Sequence, residues 1–370
     1  MKIGIEAQRI FRTKKHGMDI YAQEIIQALA KENPSVEFVI FVRKDKKNTL
    51  NLHSNVKIVE ITALSYFDFE QIWLPLAIQK EKIDLMHFTS NTASLFCSKP
   101  YLITVHDIMY LKGKTGGTMY QKLGHYYRKW VVPIVIKRAK ALITVSEYEK
   151  NNIIESLHLP DQFVHVIYNG VSDLFRFQAT DITQNNPNLP EDFLLFLGNE
   201  APKKNMKRVV QAYSIYKQKK KEKALPLVLV ETSEVQLSKL LRELQLEILR
   251  PDIHLTGYLS QAELAKTYRK ATLFLYPSLQ ESFGIPLIEA MASGTPVITA
   301  DSTALPEIAA QAAWLIDPTD IEQLADVINR LLTEKDLYQI LQKKGLQRAK
   351  IFTWQQAAKD TFKLYLSINQ

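Results

Sequence analysis

A single cysteine, Cys97, stands among 370 residues, so no disulfide can close within the chain. No apolar run approaches the roughly 20 residues that a helix needs to cross a bilayer. No two glycines are spaced Gly-x-Gly, which removes the dinucleotide-binding fingerprint. Gly-x-x-x-x-Gly-Lys is absent as well, and with it the phosphate loop of ATP motors. Zinc-finger spacing, an RNA-recognition aromatic pair and a basic-zipper heptad are all missing, so nucleic acid is not an expected partner. There is no internal repeat and no low-complexity tract. The opening residues 1–6 read as a strand rather than a signal peptide, and a cytoplasmic protein is expected.

What the chain does have is apolar material: 46% of its residues are hydrophobic, enough to fill two cores in domains of roughly 150 to 200 residues each. Lys and Arg number 47 against 39 Asp and Glu, a net charge of +8 that points to an anionic partner, a nucleoside diphosphate or an anionic lipid. The densest basic stretch, residues 120–140, interleaves Lys122, Arg128, Lys129, Lys137, Arg138 and Lys140 with Tyr126, Tyr127 and Trp130 and contains no acid. Two readings stay open there: an interfacial helix making peripheral membrane contact, or a helix packed on its own sheet with its lysines outside. Pro133 is expected to interrupt it.

The first half alternates short apolar strands, at 2–5, 37–42, 56–60, 85–88, 101–105, 141–145 and 163–167, with amphipathic helices at 19–31, 66–81, 119–138 and 147–157. Ser146 and Glu149 have the spacing of a capping box at the start of the last of these. Strands at 193–197, 227–230, 254–256, 273–276, 297–299 and 313–316 repeat the pattern, and the chain is helical after Asp320. Such alternation predicts an α/β protein with mostly parallel sheets covered on both faces. Asn169, Gly170 and the polar run 178–190 break the periodicity and mark an interdomain linker, set at residues 173–190.

The most informative stretch is 276–296. Glu281 and Glu289 stand eight positions apart around Phe283, Gly284, Ile285 and Pro286. Pro286 suits the first position of a helix and Gly294 its C-terminal cap, which places Glu289 in the first turn. A strand, a loop and a helix in that order present a ligand site, with free N–H groups at the helix start for an anion.

This block resembles the Glu-x7-Glu signature of the retaining, nucleotide-sugar-dependent glycosyltransferases of family 4. Residues 294–300, 302–308 and 314–320 continue in the family's manner; 196–205 looks like its donor-phosphate loop and 255–260 like its nucleobase-side turn. The resemblance spans nearly the whole C-terminal half. It implies the GT-B fold, two Rossmann-like doubly wound domains facing across a cleft: 1–172 with a returning helix at 353–370 on the acceptor side, and 191–352 for the donor. It implies no cofactor, the nucleotide sugar being a substrate, and no metal. The sequence also lacks Asp-x-Asp, with which the other large glycosyltransferase fold holds a divalent ion.

Carried over residue by residue, the resemblance gives Lys204 and Lys203, with the Gly284 and Ile285 amides, the charge of the leaving diphosphate. Glu281 contacts hydroxyls of the transferred sugar and Glu289 those of the ribose, and Phe283 completes the donor loop. The family often has an arginine where this chain has Asn199. His106, just past a strand, faces the donor sugar; Asp107 either orients the imidazole or caps the next segment. Gly17, preceded by His16, matches an acceptor-side glycine loop where the family often has two glycines. Tyr258 packs along the nucleobase or fills the interdomain edge. Front-face substitution is implied over a covalent Glu281 intermediate. A hexosyltransferase using GDP-mannose, with a saccharide or lipid-linked saccharide acceptor in surface polysaccharide synthesis, is the expected function; a UDP-sugar transferase, a same-fold epimerase and a noncatalytic nucleotide-binding member are the alternatives.

Overall fold

The structure is a computed structural model that describes residues 1–8, 10–11, 15, 17–44, 53–109, 119–176, 189–198 and 201–368, the side chains of 119–123 excepted. It divides into two units, residues 1–170 with 354–370, and residues 171–353.

In the first unit the apolar runs become β1 (Lys2–Glu6), β2 (Glu37–Arg43), β3 (Val56–Ile61), β4 (Leu85–Phe88), β5 (Tyr101–Thr104), β6 (Ala141–Thr144) and β7 (Val164–Val166). They form one parallel sheet in the order β3-β2-β1-β4-β5-β6-β7. Because side chains alternate along a strand, an all-apolar run must feed a core on each face. In β2, Phe38, Ile40 and Val42 enter one cluster and Val39 and Phe41 the other. Helix α1 (Gly17–Glu32) and the last helix of the chain, Trp354–Ile368, cover the first face. The second is covered by α2 (Leu74–Glu81), α3 (Met119–Arg138) and α4 (Glu147–Leu157).

Three local expectations change. Residues 66–81 are not one helix: Tyr66–Asp68 is followed by a π-helical turn, Phe69–Trp73, before α2. Pro75 lacks an N–H and its ring crowds the carbonyl four residues back, so the ladder widens and Leu74 N–H bonds the Phe69 carbonyl. Helix α3, in contrast, runs across Pro133 without a break. Ser146 caps α4 by accepting the Glu149 N–H at 3.0 Å, while the Glu149 carboxylate accepts the Ile108 N–H at 3.0 Å from the loop after β5.

The second unit contains β8 (Leu194–Leu197), β9 (Leu227–Val230), β10 (Ile253–Gly257), β11 (Leu273–Tyr276), β12 (Val297–Ala300) and β13 (Trp314–Ile316), all parallel in the order β10-β9-β8-β11-β12-β13. Its helices are α5 (Met206–Lys220), α6 (Glu234–Leu244), α7 (Gln261–Lys270), α8 (Ile285–Ala292), α9 (Leu305–Ala309), α10 (Ile321–Thr333) and α11 (Lys335–Ala349), leaving α12 for Trp354–Ile368 in the first unit. The stretch expected as linker begins inside the second unit: Asp173–Phe175 forms a 3-10 turn, Phe175 is buried, and its carbonyl accepts the Ser293 hydroxyl at 3.0 Å. Residues 177–188 of that linker lie outside the described residues. Each sheet reverses strand order beside its first strand, β1/β4 in one and β8/β11 in the other, where loops from the strands' C-terminal ends diverge and leave room for a ligand.

Candidate active site

The reversal between β8 and β11 brings together two of the loops singled out in the sequence. Beyond β8, Pro202–Lys204 makes one 3-10 turn and Asn205 takes the left-handed conformation, φ 67°, that asparagine tolerates better than most residues. Asn205 is buried and holds three strand ends together. Its amide donates to the carbonyls of Pro277 at 2.9 Å and Pro318 at 2.7 Å, and its Oδ1 accepts from Arg208 at 3.0 Å. The Leu279 N–H closes the loop on the Lys203 carbonyl at 2.7 Å. Lys204 is thereby aimed at the β11 loop, where its Nζ lies 2.8 Å from Glu281 Oε1; the two side chains are 19% and 12% exposed.

Burial pushes the Glu281 carboxyl up, but the Lys204 ammonium, with Lys203 and the Tyr276 hydroxyl, more than offsets this and holds it below the usual range. Glu281 is therefore an ionised carboxylate paired to a cation. Its own main chain is fixed as well, the N–H on the Thr303 hydroxyl and the carbonyl on the Ala304 N–H, both at 3.3 Å.

Gly284 starts α8 with φ 94°, and a Cβ there would come 2.8 Å from Leu305 Cδ2, so glycine is required on two counts. At the other end the Thr295 N–H bonds the Ala290 carbonyl and the Gly294 N–H that of Met291, a Schellman closure with Gly294 at φ 80°. The helix opens at Ile285 with Pro286 second, one residue earlier than the proline suggested, so Glu289 falls in the second turn rather than the first. Glu289 is 4% exposed. Burial raises its carboxyl to about 8, with the Tyr268 hydroxyl pulling the other way. At neutral pH it is mostly the protonated acid, able to donate as well as accept. The Phe283 ring is buried edge-on to Phe352 at 5.8 Å. Tyr258 stands 41% exposed on the turn after β10.

In the first unit His106 follows β5 and is buried. Its Nε2 lies 3.0 Å from the Thr89 carbonyl, which can only accept, so Nε2 carries the proton and Nδ1 is left as an acceptor. Burial depresses the imidazole, against the Thr89 carbonyl and Asp107, favouring the neutral ring. Asp107 Oδ1 accepts the Met109 N–H at 3.2 Å, and the imidazole is held through Nε2 by the Thr89 carbonyl. A Cβ on Gly17 would meet nothing within 4 Å, so neither packing nor conformation demands glycine there. His16 and Asn199 lie outside the described residues. Thr303, in the left-handed region at φ 61°, and the buried Tyr268 and Tyr276 gave no signal in the sequence, being far from the motif or inside a strand. No group of three or more His, Cys, Asp and Glu suited to a metal occurs among the described residues.

Comparison with known proteins matches both halves. A model described as Glycosyltransferase Family 4 covers residues 16–173, and one described as Glycosyl transferases group 1 covers residues 177–348. The chain belongs to the family 4-like glycosyltransferases. Two curated members of this kind align with it: O-antigen chain mannosyltransferase B of Escherichia coli, 28% identical over 61% of this chain and 60% of that one, and O-antigen chain mannosyltransferase RfbU of Salmonella typhimurium, 30% identical over 62% of each. The chain thus spans about three fifths of the length of these relatives. Among solved structures, sucrose-phosphate synthase from Thermosynechococcus elongatus superposes with a TM-score of 0.79 at 21% identity, over 99% of this chain and 98% of that one. The glycosyltransferase fold is GT-B. Within it the second unit sets Lys204 on an ionised Glu281, three positions before Gly284 at the start of α8, with a mostly protonated Glu289 in the second turn of that helix.

Proposed function

We propose that the chain transfers a hexose, mannose from GDP-mannose, to a saccharide or lipid-linked saccharide acceptor in surface polysaccharide synthesis, with retention and without a metal, on the cytoplasmic side. The observation that carries this reading is the Lys204–Glu281 pair at the strand-order reversal, beside the start of α8. The names of the two mannosyltransferase relatives support mannose as the transferred sugar.

As the bond from the sugar to the β-phosphate lengthens, negative charge gathers on the departing phosphate and positive character on the sugar. Lys204, Lys203 and the Gly284 and Ile285 amides stabilise the first, acting in place already rather than after reorganisation. Glu281, held ionised, accepts from the transferred sugar's hydroxyls and balances its developing charge. Glu289 holds the ribose diol, and His106 offers Nδ1 to the donor sugar. The departing phosphate takes the proton of the acceptor hydroxyl as that oxygen attacks on the same face, so one C–O bond breaks and another forms without inversion. On α3, Tyr126 and Trp130 are 61% and 77% exposed one turn apart, with Lys129 beside them, which favours contact with an anionic membrane where a lipid-linked acceptor resides.

The test is incubation with GDP-mannose, UDP-glucose, UDP-N-acetylglucosamine and dTDP-rhamnose in EDTA, following thermal shift and nucleotide release. GDP release from GDP-mannose alone, lost in Glu281→Ala and Lys204→Ala, is the expected result. Release from a UDP sugar instead moves the donor to the alternative; conversion without any acceptor indicates an epimerase. Binding without turnover leaves a nucleotide-binding protein.

A further inference from the structure

Two tyrosines outside the motif lie under its two carboxyls. Tyr276 ends β11, and alternation along that strand puts Phe274 and Tyr276 on the face opposite the Leu273 and Leu275 core. There the rings form a continuous row. Phe175 meets Tyr268 with centroids 6.0 Å apart, Tyr268 meets Phe274 edge-on at 5.1 Å, and Phe274 stacks on Tyr276 at 5.4 Å. All four are buried. One tyrosine of the row lies against Glu289; at the other end the Lys204 ammonium stands 5.4 Å from the Tyr276 ring centroid.

The hydroxyls are what packing does not explain. Among the described residues neither the Tyr268 nor the Tyr276 hydroxyl finds a partner in full hydrogen-bond geometry. Each nonetheless lies close enough to act on a carboxyl, Tyr268 on Glu289 and Tyr276 on Glu281. A buried hydroxyl with an imperfect partner costs stability, and phenylalanine, which the row uses at 274 between them, would avoid that cost. Hydroxyls present at such a cost beside two site carboxyls indicate a role in the site.

We infer that Tyr268 and Tyr276 are positioning residues, Tyr268 acting through Glu289 and Tyr276 through Glu281 and Lys204, and that the rigid aromatic row fixes the spacing of the two carboxyls. What those carboxyls hold rests on the donor reading above; that the tyrosines set them does not. Glu289 is faced by Tyr268 from α7, with Glu231 also acting on that tyrosine; Glu281 is faced by Lys204 and Lys203 from the β8 loop and by Tyr276 from β11.

Carbon-13 NMR of the full chain labelled at its glutamate carboxyls reads both titrations with no ligand present. Tyr268→Phe moves the Glu289 titration to higher pH and leaves Glu281 in place; Tyr276→Phe moves Glu281 to higher pH and leaves Glu289. Thermal stability is unchanged or higher in both. In turnover with the donor, Tyr268→Phe raises KM about five- to tenfold with kcat retained, and Tyr276→Phe lowers kcat about tenfold with KM retained. A carboxyl that does not respond to loss of its own tyrosine overturns the assignment, as does a fall in Tm with both titrations unmoved, which would make the hydroxyls merely structural. If the titrations move as stated but neither GDP nor UDP binds the wild type, the positioning role stands and the donor reading fails. If the wild type turns over donor while the variants shift nothing, the donor reading stands and the positioning role fails.

Discussion

Both sheets reverse strand order beside their first strand, yet the buried polar groups near these two points are arranged differently. At β8/β11 there is an ion pair, Lys204 with Glu281, and a buried acid, Glu289. Between β4, β5, α1 and α12 of the first unit, beside the buried Glu6 that ends β1, lies a network of uncharged groups: His87 bonds the Tyr365 hydroxyl at 2.6 Å and the Thr104 hydroxyl at 2.7 Å, Thr104 bonds Tyr21 at 3.0 Å, and Tyr21 sits edge-on to His106 at 4.6 Å. Burial keeps both histidines uncharged, His87 down to about 3. One topology thus carries two chemistries. The charged arrangement suits a diphosphate, whereas the neutral one leaves His106 Nδ1 as an acceptor for a hydroxyl, and topology alone distinguishes neither.

The largest effect should fall on the charged side. Lys204→Ala is expected to lower turnover by about 10²- to 10³-fold, the range for removing one preorganised charge-stabilising donor. His106→Ala should cost about tenfold and leave GDP affinity unchanged, as expected for one lost hydrogen bond. Equal losses of GDP affinity in the two variants would break the division of labour between units.

Glycines sharpen the comparison next. Gly284→Ala places a methyl 2.8 Å from Leu305 at a φ of 94° and should cost the second unit about 2–3 kcal/mol in urea unfolding. Gly17→Ala meets open space and should leave the first unit within about 0.5 kcal/mol of wild type. Because the chain has two units, their transitions need separate probes.

The pH dependences should have opposite signs. Glu289 folded titrates at about 8 against an ordinary 4.5, so the folded state holds more protons between those values and the second unit loses stability as pH rises from about 4.5 to 8. Glu289→Gln removes that slope, and its advantage over wild type should grow through the window to at most a few kcal/mol. His87 is depressed from 6.5 to about 3, so there the unfolded state holds the extra proton and the first unit loses stability as pH falls from about 6.5 to 3. His87→Gln should flatten that limb. Slopes of the same sign in the two wild-type minus variant differences would contradict the contrast.

The smallest effect concerns the surface of α3. Trp130→Ala should weaken binding to vesicles of anionic phospholipid by about three- to tenfold and leave binding to zwitterionic vesicles near zero, as measured by sedimentation. No change would favour a helix that only packs on its own sheet.

Much of this was legible in the sequence because the strands are buried on both faces and so read as short uninterrupted apolar runs. The same holds for the loop after β11, where Pro286 and Gly294 bracket α8 and a glycine's φ leaves no substitute. What escaped was set by distant contacts. Tyr268 lies 21 positions before the Glu289 it faces, and Thr303 reaches Glu281 from a separate loop. Pro75 widened a helix into a π turn whereas Pro133 left its helix running, because tertiary packing, not the proline alone, decides the outcome. The contact of the Phe283 ring with Phe352, 69 positions on, is likewise absent from its spacing to Glu281.

The central claim is that the Lys204–Glu281 pair at the β8/β11 reversal is a nucleoside diphosphate site. Calorimetric titration of GDP into the full chain in EDTA, compared with Lys204→Ala, tests it most directly. Saturable 1:1 binding by the wild type, weakened about 10- to 100-fold in the variant, is predicted from loss of one charge-assisted contact to the phosphates. Equal affinity in the two proteins, or no binding of GDP or UDP to either, would contradict it.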